Sequence, residues 1–138
     1  MSPGKLAAQV SHASMAFISR EIRTGFRSIM MDRDMKHYYR LTFCMPSDIY
    51  EEWFEGTFTK TVCEAKNRNQ LLKAVDIAKE LGLKEGDDFF LIEDNCLTEL
   101  EPEEIGEDGV GRTLTCIGFR PLPDDIAHAI SKKYQLYR

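Results

Sequence analysis

Leu6, Val10, Ala13 and Phe17 recur at spacings of four, three and four, which draws one apolar stripe down a helix that must find a second layer to cover it. Ser2 can accept from the open N–H groups of the first turn, and Pro3 falls where its missing N–H costs nothing. The pattern predicts a helix that runs past Phe17 to about Thr24, with Gly25 suited to the position after its last turn. Beside the stripe, Lys5, Gln9 and His12 also keep a spacing of four and three, so three hydrogen-bonding side chains stack along one side. Lys5 opposes the helix dipole, while Gly4, the first-turn N–H groups and Lys5 together offer a seat for a phosphate. A surface helix whose polar side happens to carry Lys, Gln and His accounts for the stretch equally well.

The second layer comes from short strand-like runs further on. Residues 26–38 have mixed character, readable as more helix or as a basic loop, and His37 there reads as a surface or packing residue. Tyr39–Cys44 alternates as a short strand. Ser47 then caps a short helix over 48–55, stopped by Gly56, in which Ile49, Tyr50, Trp53 and Phe54 form a packing face and Trp53 an anchor. Phe58–Lys66 reads as a strand. Asn67 or Asn69 caps the next helix, whose apolar face of Leu71, Leu72, Val75, Ala78 and Leu81 ends at Gly82. After a turn at Gly86-Asp87-Asp88, the continuous run Phe89-Phe90-Leu91-Ile92 reads as a buried central strand. An acidic loop at about 99–111 precedes a strand over 112–119. Asp124 and Asp125 open a last helix, with His128 as a structural residue in it, and the tail after Lys132 suits an edge strand. This order predicts an α/β fold: a single domain over 1–138 with a small mixed sheet of about four strands, helices on both sides, and an insert at about 26–57.

Charge and thiols narrow the partners. The net charge is −5, against the basic habit of nucleic-acid binders, yet the charges are segregated. Arg20, Arg23, Lys60, Lys66 and Arg68 belong to a cation-rich region before residue 80, while 85–108 is rich in Asp and Glu with no Lys or Arg. Cys44, Cys63, Cys96 and Cys116 show no paired spacing, which argues against a zinc site or a disulfide framework, and no cofactor is expected. No apolar run approaches the roughly 20 residues of a membrane span, and no leader pattern opens the chain, so a cytoplasmic protein with no membrane partner is expected.

Chemistry can also sit at Ile92-Glu93-Asp94-Asn95-Cys96-Leu97-Thr98-Glu99. A carboxylate just beyond a buried strand, with a hydroxyl four residues on, lies where α/β sheets place ligands. An ordinary Asp-Asn turn reads the same way.

The run PGKLAAQVSHA resembles the N-terminal signature of peptidyl-tRNA hydrolases of the second type. Asp94 and Thr98 match the fixed ends of that family's Asp-Ala-Gly-x-Thr motif. Thr113, ahead of Cys116-Ile117-Gly118, matches a Thr that opens its following strand. The resemblance spans about 100 residues. It departs at Asn95-Cys96, where Cys96 replaces a Gly and would be strained at positive φ. It departs again at the start, where the family has a strand ahead of the first helix. A truncated start is expected, or a strand supplied by a segment such as 39–44.

The resemblance implies hydrolysis of the ester joining a peptide to the terminal ribose of tRNA, without a metal. Asp94 would orient or activate the water and Thr98 support it. Lys5 would supply positive charge to the oxyanion or terminal phosphate, Gln9 hold a substrate carbonyl or amide, and His12 donate to the substrate. Thr113, Arg20, Arg23, Lys60, Lys66 and Arg68 would bind substrate, and homodimerisation would cover an exposed sheet edge. Ser11 and Ser14 cannot face His12 from adjacent helix positions, and nothing in the sequence lowers the thiol pKa of Cys96. The competing reading is a non-catalytic RNA- or protein-binding module that retains this fold.

Overall fold

The computed structural model describes residues 1–97 and 100–138. Helices alternate with strands as expected of an α/β chain. The chain divides into two compact units, one of residues 1–17 with 60–138 and one of residues 18–59.

Helix α1 (Pro3–Thr24) opens as its sequence dictates: the Ser2 hydroxyl accepts from the Lys5 N–H at 3.3 Å, and the Ser2 carbonyl from Leu6 at 2.9 Å. The apolar stripe is not its most buried part. Phe17 is buried, but Leu6, Val10 and Ala13 are only half-buried, whereas the polar Gln9 is 4% exposed. A glutamine is hidden to that degree only when its amide is satisfied inside the protein.

In the first unit, α2 (Arg68–Glu80) is capped by Asn67, which accepts from the Gln70 N–H at 3.1 Å, and the chain leaves it through Gly82 at φ +82°. Strand β4 (Phe89–Asp94) pairs antiparallel with β6 (Gly111–Phe119), and β6 pairs on its other side with β5 (Glu104–Ile105). The core is small. Val75 and Ala78 of α2 pack on Phe89, with Leu83, Leu91, Ile117 and Phe119 around them. The Phe89 and Phe119 ring centroids lie 6.0 Å apart with the planes tilted by 42°, a contact that adds to their burial.

Two departures here concern strands. Among the described residues β4 is an edge strand, with β6 its one strand neighbour; its Phe89 and Leu91 side chains are covered by the core cluster. The expected strand over 58–66 shrinks to β3 (Cys63–Glu64), because its one ladder partner among the described residues is the two-residue β7 (Gln135–Leu136) of the tail. Between α3 (Asp124–Ser131) and β7, the Tyr134 hydroxyl donates to the Gln70 carbonyl at 2.7 Å and ties the tail to α2.

Helix α1 and β6 meet at Gly118. A Cβ there would stand 2.2 Å from the Ala13 carbonyl oxygen, so only glycine admits the helix backbone this close. In β6 the register slips by one between Ile92 and Glu93: Ile92 faces Cys116, Glu93 faces Leu114, and Thr115 is the extra residue of a β-bulge.

In the second unit, residues 26–38, readable as helix or loop, instead carry β1 (Phe26–Met31), a turn and the start of β2 (His37–Thr42), an antiparallel hairpin whose second strand answers the strand expected over Tyr39–Cys44. Asp32 builds its turn by accepting from the Asp34 and Lys36 N–H groups, each at 2.9 Å, and from the Tyr38 hydroxyl. Among the described residues β2 pairs with β1 alone, so the segment 39–44 does not add the expected strand to the larger sheet. The helical segment Ile49–Thr57 is wound wider than an α-helix. It is capped by Asp48 rather than Ser47, leaves helical geometry at Gly56 (φ −84°, ψ −130°) as expected, and closes with a Phe58 N–H bond to the Trp53 carbonyl at 3.0 Å. Trp53 lies in a ring cluster, 4.4 Å from Phe58 and 5.1 Å from Phe54, and its indole N–H donates to the Thr59 carbonyl at 2.8 Å.

Candidate active site

Spacing along α1 places Lys5 and Gln9 one turn apart on the side that faces the end of β4. Asp94 is the last residue of that strand, not the first beyond it, and lies opposite Thr113 in the β4–β6 ladder. It is 8% exposed, and a carboxylate so enclosed needs donors to remain charged. Three arrive from two directions. Lys5 Nζ lies 2.6 Å from Asp94 Oδ2, Gln9 Nε2 donates to the same oxygen at 2.8 Å, and the Cys96 N–H donates to Oδ1 at 2.8 Å. The Lys5 hydrogen bond, then the Cys96 N–H, the Lys5 charge and Gln9, outweigh desolvation and hold the Asp94 carboxyl below its ordinary value.

Gln9 bridges further. A carboxylate only accepts, so the amide nitrogen must face Asp94, and its oxygen then accepts from the Thr115 hydroxyl at 2.7 Å. The Thr115 oxygen also lies 3.0 Å from the Ile92 carbonyl, an alternative acceptor for its single proton. The bulge is what aims Thr115 at Gln9. Sequence reasoning passed over this residue, and its only signal was the polar alternation Thr113-Leu114-Thr115.

Cys96 adopts φ +55°, the left-handed conformation in which a non-glycine residue is strained. That conformation is what turns its N–H back onto Asp94. Burial, then the Asp94 charge, push its thiol pKa up, which disfavours the thiolate a cysteine nucleophile requires.

Lys5, Gln9, His12, Glu93, Asp94, Asn95 and Leu97 surround an open cavity of about 350 Å³. His12 is exposed on its rim. Thr98 lies outside the described residues. Thr113 is buried and bonds the Glu103 carboxylate; that bond, followed by Arg68, holds Glu103 below its ordinary pKa. Arg68 is ion-paired with Glu103 at 2.7 Å and with Glu104. Lys60 and Lys66 are exposed, as is Arg23 in the last turn of α1, while Arg20 pairs with Glu21 at 2.8 Å. In the first turn of α1, Lys5 turns its ammonium to Asp94 and its N–H to Ser2.

The family model described as Peptidyl-tRNA hydrolase PTH2 matches residues 1–137. A peptidyl-tRNA hydrolase of Methanopyrus kandleri is 32% identical over 138 residues, covering 100% of this chain and 89% of the relative. One of Metallosphaera sedula is 28% identical over 136 residues, covering 99% and 89%, and one of Thermoplasma acidophilum 24% identical, covering 99% and 87%. No solved structure matches the chain. The family match runs almost from end to end, and this chain belongs to the peptidyl-tRNA hydrolase PTH2 family.

Proposed function

We infer that this chain hydrolyses the ester between peptide and tRNA in peptidyl-tRNA, freeing the tRNA for reuse, and that Asp94 is the centre of its active site. Family membership carries the reaction. The observation that supports the residue assignment is the buried carboxylate at the cavity, held by a lysine, an amide and a backbone N–H.

A carboxylate has about four lone-pair sites, and the described donors engage two on Oδ2 and one on Oδ1. We assign the remaining Oδ1 site to the attacking water. Its low pKa makes Asp94 a weak proton acceptor, so it acts chiefly by orienting that water. Water attacks the ester carbonyl, negative charge grows on the carbonyl oxygen, and the Lys5 ammonium beside the cavity offsets it. Collapse breaks the bond to the ribose oxygen, which leaves with a proton as free tRNA. Gln9 fixes Asp94 and presents the inner wall to the substrate carbonyl or amide. His12 donates from the rim, and Thr98 keeps the supporting role that the resemblance gives it.

Thr113 acts from beneath, by fixing Glu103 and with it Arg68. Arg20, Arg23, Lys60, Lys66 and Arg68 hold phosphates. For Arg20 and Arg68 the phosphate displaces a carboxylate already in place. The reaction belongs to the cytoplasm, where the tRNA pool is. Among the described residues, no helix is long and apolar enough to cross a membrane. Pairing of two copies along the β4 edge is part of the same reading, and sedimentation checks it.

Release of peptide from an N-blocked aminoacyl-tRNA tests the assignment. Asp94→Asn should lower kcat by about 10²–10⁴ while the protein stays folded. Full activity in that variant removes Asp94 from the scheme, and no release by folded wild-type protein overturns the reaction itself.

A further inference from the structure

The hairpin β1–β2 lies within a unit that excludes the Asp94 site and has no part in the chemistry above. All six β2 residues and five of the six β1 residues are exposed, so the ribbon covers neither of its own faces. Two strands with no buried face are marginal alone, which makes a partner the expected reason for such a ribbon. Strand alternation puts Arg27 and Tyr39 on one face, Arg40 and Tyr38 on the other. The Arg27 guanidinium lies 5.7 Å from the centre of the Tyr39 ring, which holds both side chains in place before any ligand arrives. Arg33 and Lys36 sit at the turn.

We propose that this hairpin is an RNA-binding arm that holds the tRNA outside its 3′-terminal CCA. The proposal rests on the hydrolase reading for its substrate. Charge complementarity selects RNA as the occupant. Four cations against Asp32 and Asp34 leave the ribbon positive on a chain of net charge −5, and Asp32 is already engaged by its own turn. Cations paired with exposed aromatic rings suit phosphates and unstacked bases. A second copy fits less well, because a symmetric contact sets these like charges against themselves.

The test compares wild type with Arg27→Gln/Arg40→Gln on two substrates, N-blocked aminoacyl-tRNA and an N-blocked aminoacyl-CCA trinucleotide. The double variant should raise KM for the full tRNA about tenfold and lower its salt slope by about two, with kcat unchanged. On the trinucleotide its KM should equal that of wild type. Equal loss on both substrates, or unchanged affinity and slope for tRNA, overturns the proposal. So does a wild-type dimer that the substitutions dissolve while tRNA affinity stays the same. Anisotropy with deacylated tRNA reads the arm separately, so the arm is still decided if wild type releases no peptide. A photocrosslinker replacing the exposed Met35 at the turn should capture tRNA in the otherwise unaltered protein, and absence of that crosslink also overturns the proposal.

Discussion

Gln9 and Asp94, separated by 85 positions in sequence, are joined by a 2.8 Å hydrogen bond between two buried side chains. The bond matters because the amide's other end is also occupied, by Thr115. Gln9 is therefore fixed in orientation as well as in place, and it transmits the position of β6 to the carboxylate at the end of β4.

Gln9→Glu keeps the shape and removes the donor. Two carboxylates then share a buried space, and the like charge pushes the Asp94 pKa up. The acid limb of the kcat/KM profile should move to higher pH than in wild type. An unmoved limb would mean that the limb does not report Asp94.

Lys5→Met deletes the largest cause of the low Asp94 pKa. A carboxyl whose folded pKa is depressed contributes stability above its unfolded pKa of about 3.9 and loses it as pH falls through the folded value. With Lys5 gone that folded value rises, so acid unfolding followed by far-UV circular dichroism should begin at higher pH. At pH 7 the variant should also be less stable, because among the described donors the buried charge keeps Gln9 and the Cys96 N–H alone.

Cys96→Gly relieves the left-handed strain while keeping the N–H that bonds Asp94. We expect a gain of about 1 kcal/mol in urea unfolding, with kcat retained. A loss of stability would show that the Cys96 side chain, whose Sγ lies 3.3 Å from the Asp94 carbonyl oxygen, contributes more than the strain costs.

Gly118→Ala forces α1 off β6, since the new methyl group meets the Ala13 backbone rather than a yielding side chain. The cost should be about 2 kcal/mol in chemical denaturation. Because Lys5 and Gln9 ride on that helix, kcat should fall as well, although Gly118 touches neither. Stability lost with kcat intact would mean that α1 yields without moving its polar row.

The site was legible where spacing along one helix carried it. Lys5 and Gln9 follow from a four-residue step, and Asp94 from an apolar run that ends in an acid. Thr115 was not legible, because a bulge depends on how two strands pair and leaves no mark in either one alone. The first strand of the hairpin escaped for a related reason. With five of its six residues exposed, β1 needs no contrast between apolar and polar positions, so the period of two that betrays a strand is absent from Phe26–Met31, whereas the alternation over Tyr39–Cys44 did read as the strand that β2 forms over His37–Thr42. Phe58–Lys66 shows the reverse: its composition favours a strand, yet among the described residues Cys63 and Glu64 alone find a ladder partner, in the tail.

The extra residue in β6 also settles the parity of the strand. Thr113 and Gly118 are five positions apart, an odd count that regular pleating sends to opposite faces, yet one pairs with Asp94 and the other takes the weight of α1. The bulge absorbs the odd step. Lengthening or shortening β6 by one residue between them thus exchanges inside for outside along half the strand, whereas a change of two leaves the faces as they are. Length variation in this segment is quantised in pairs.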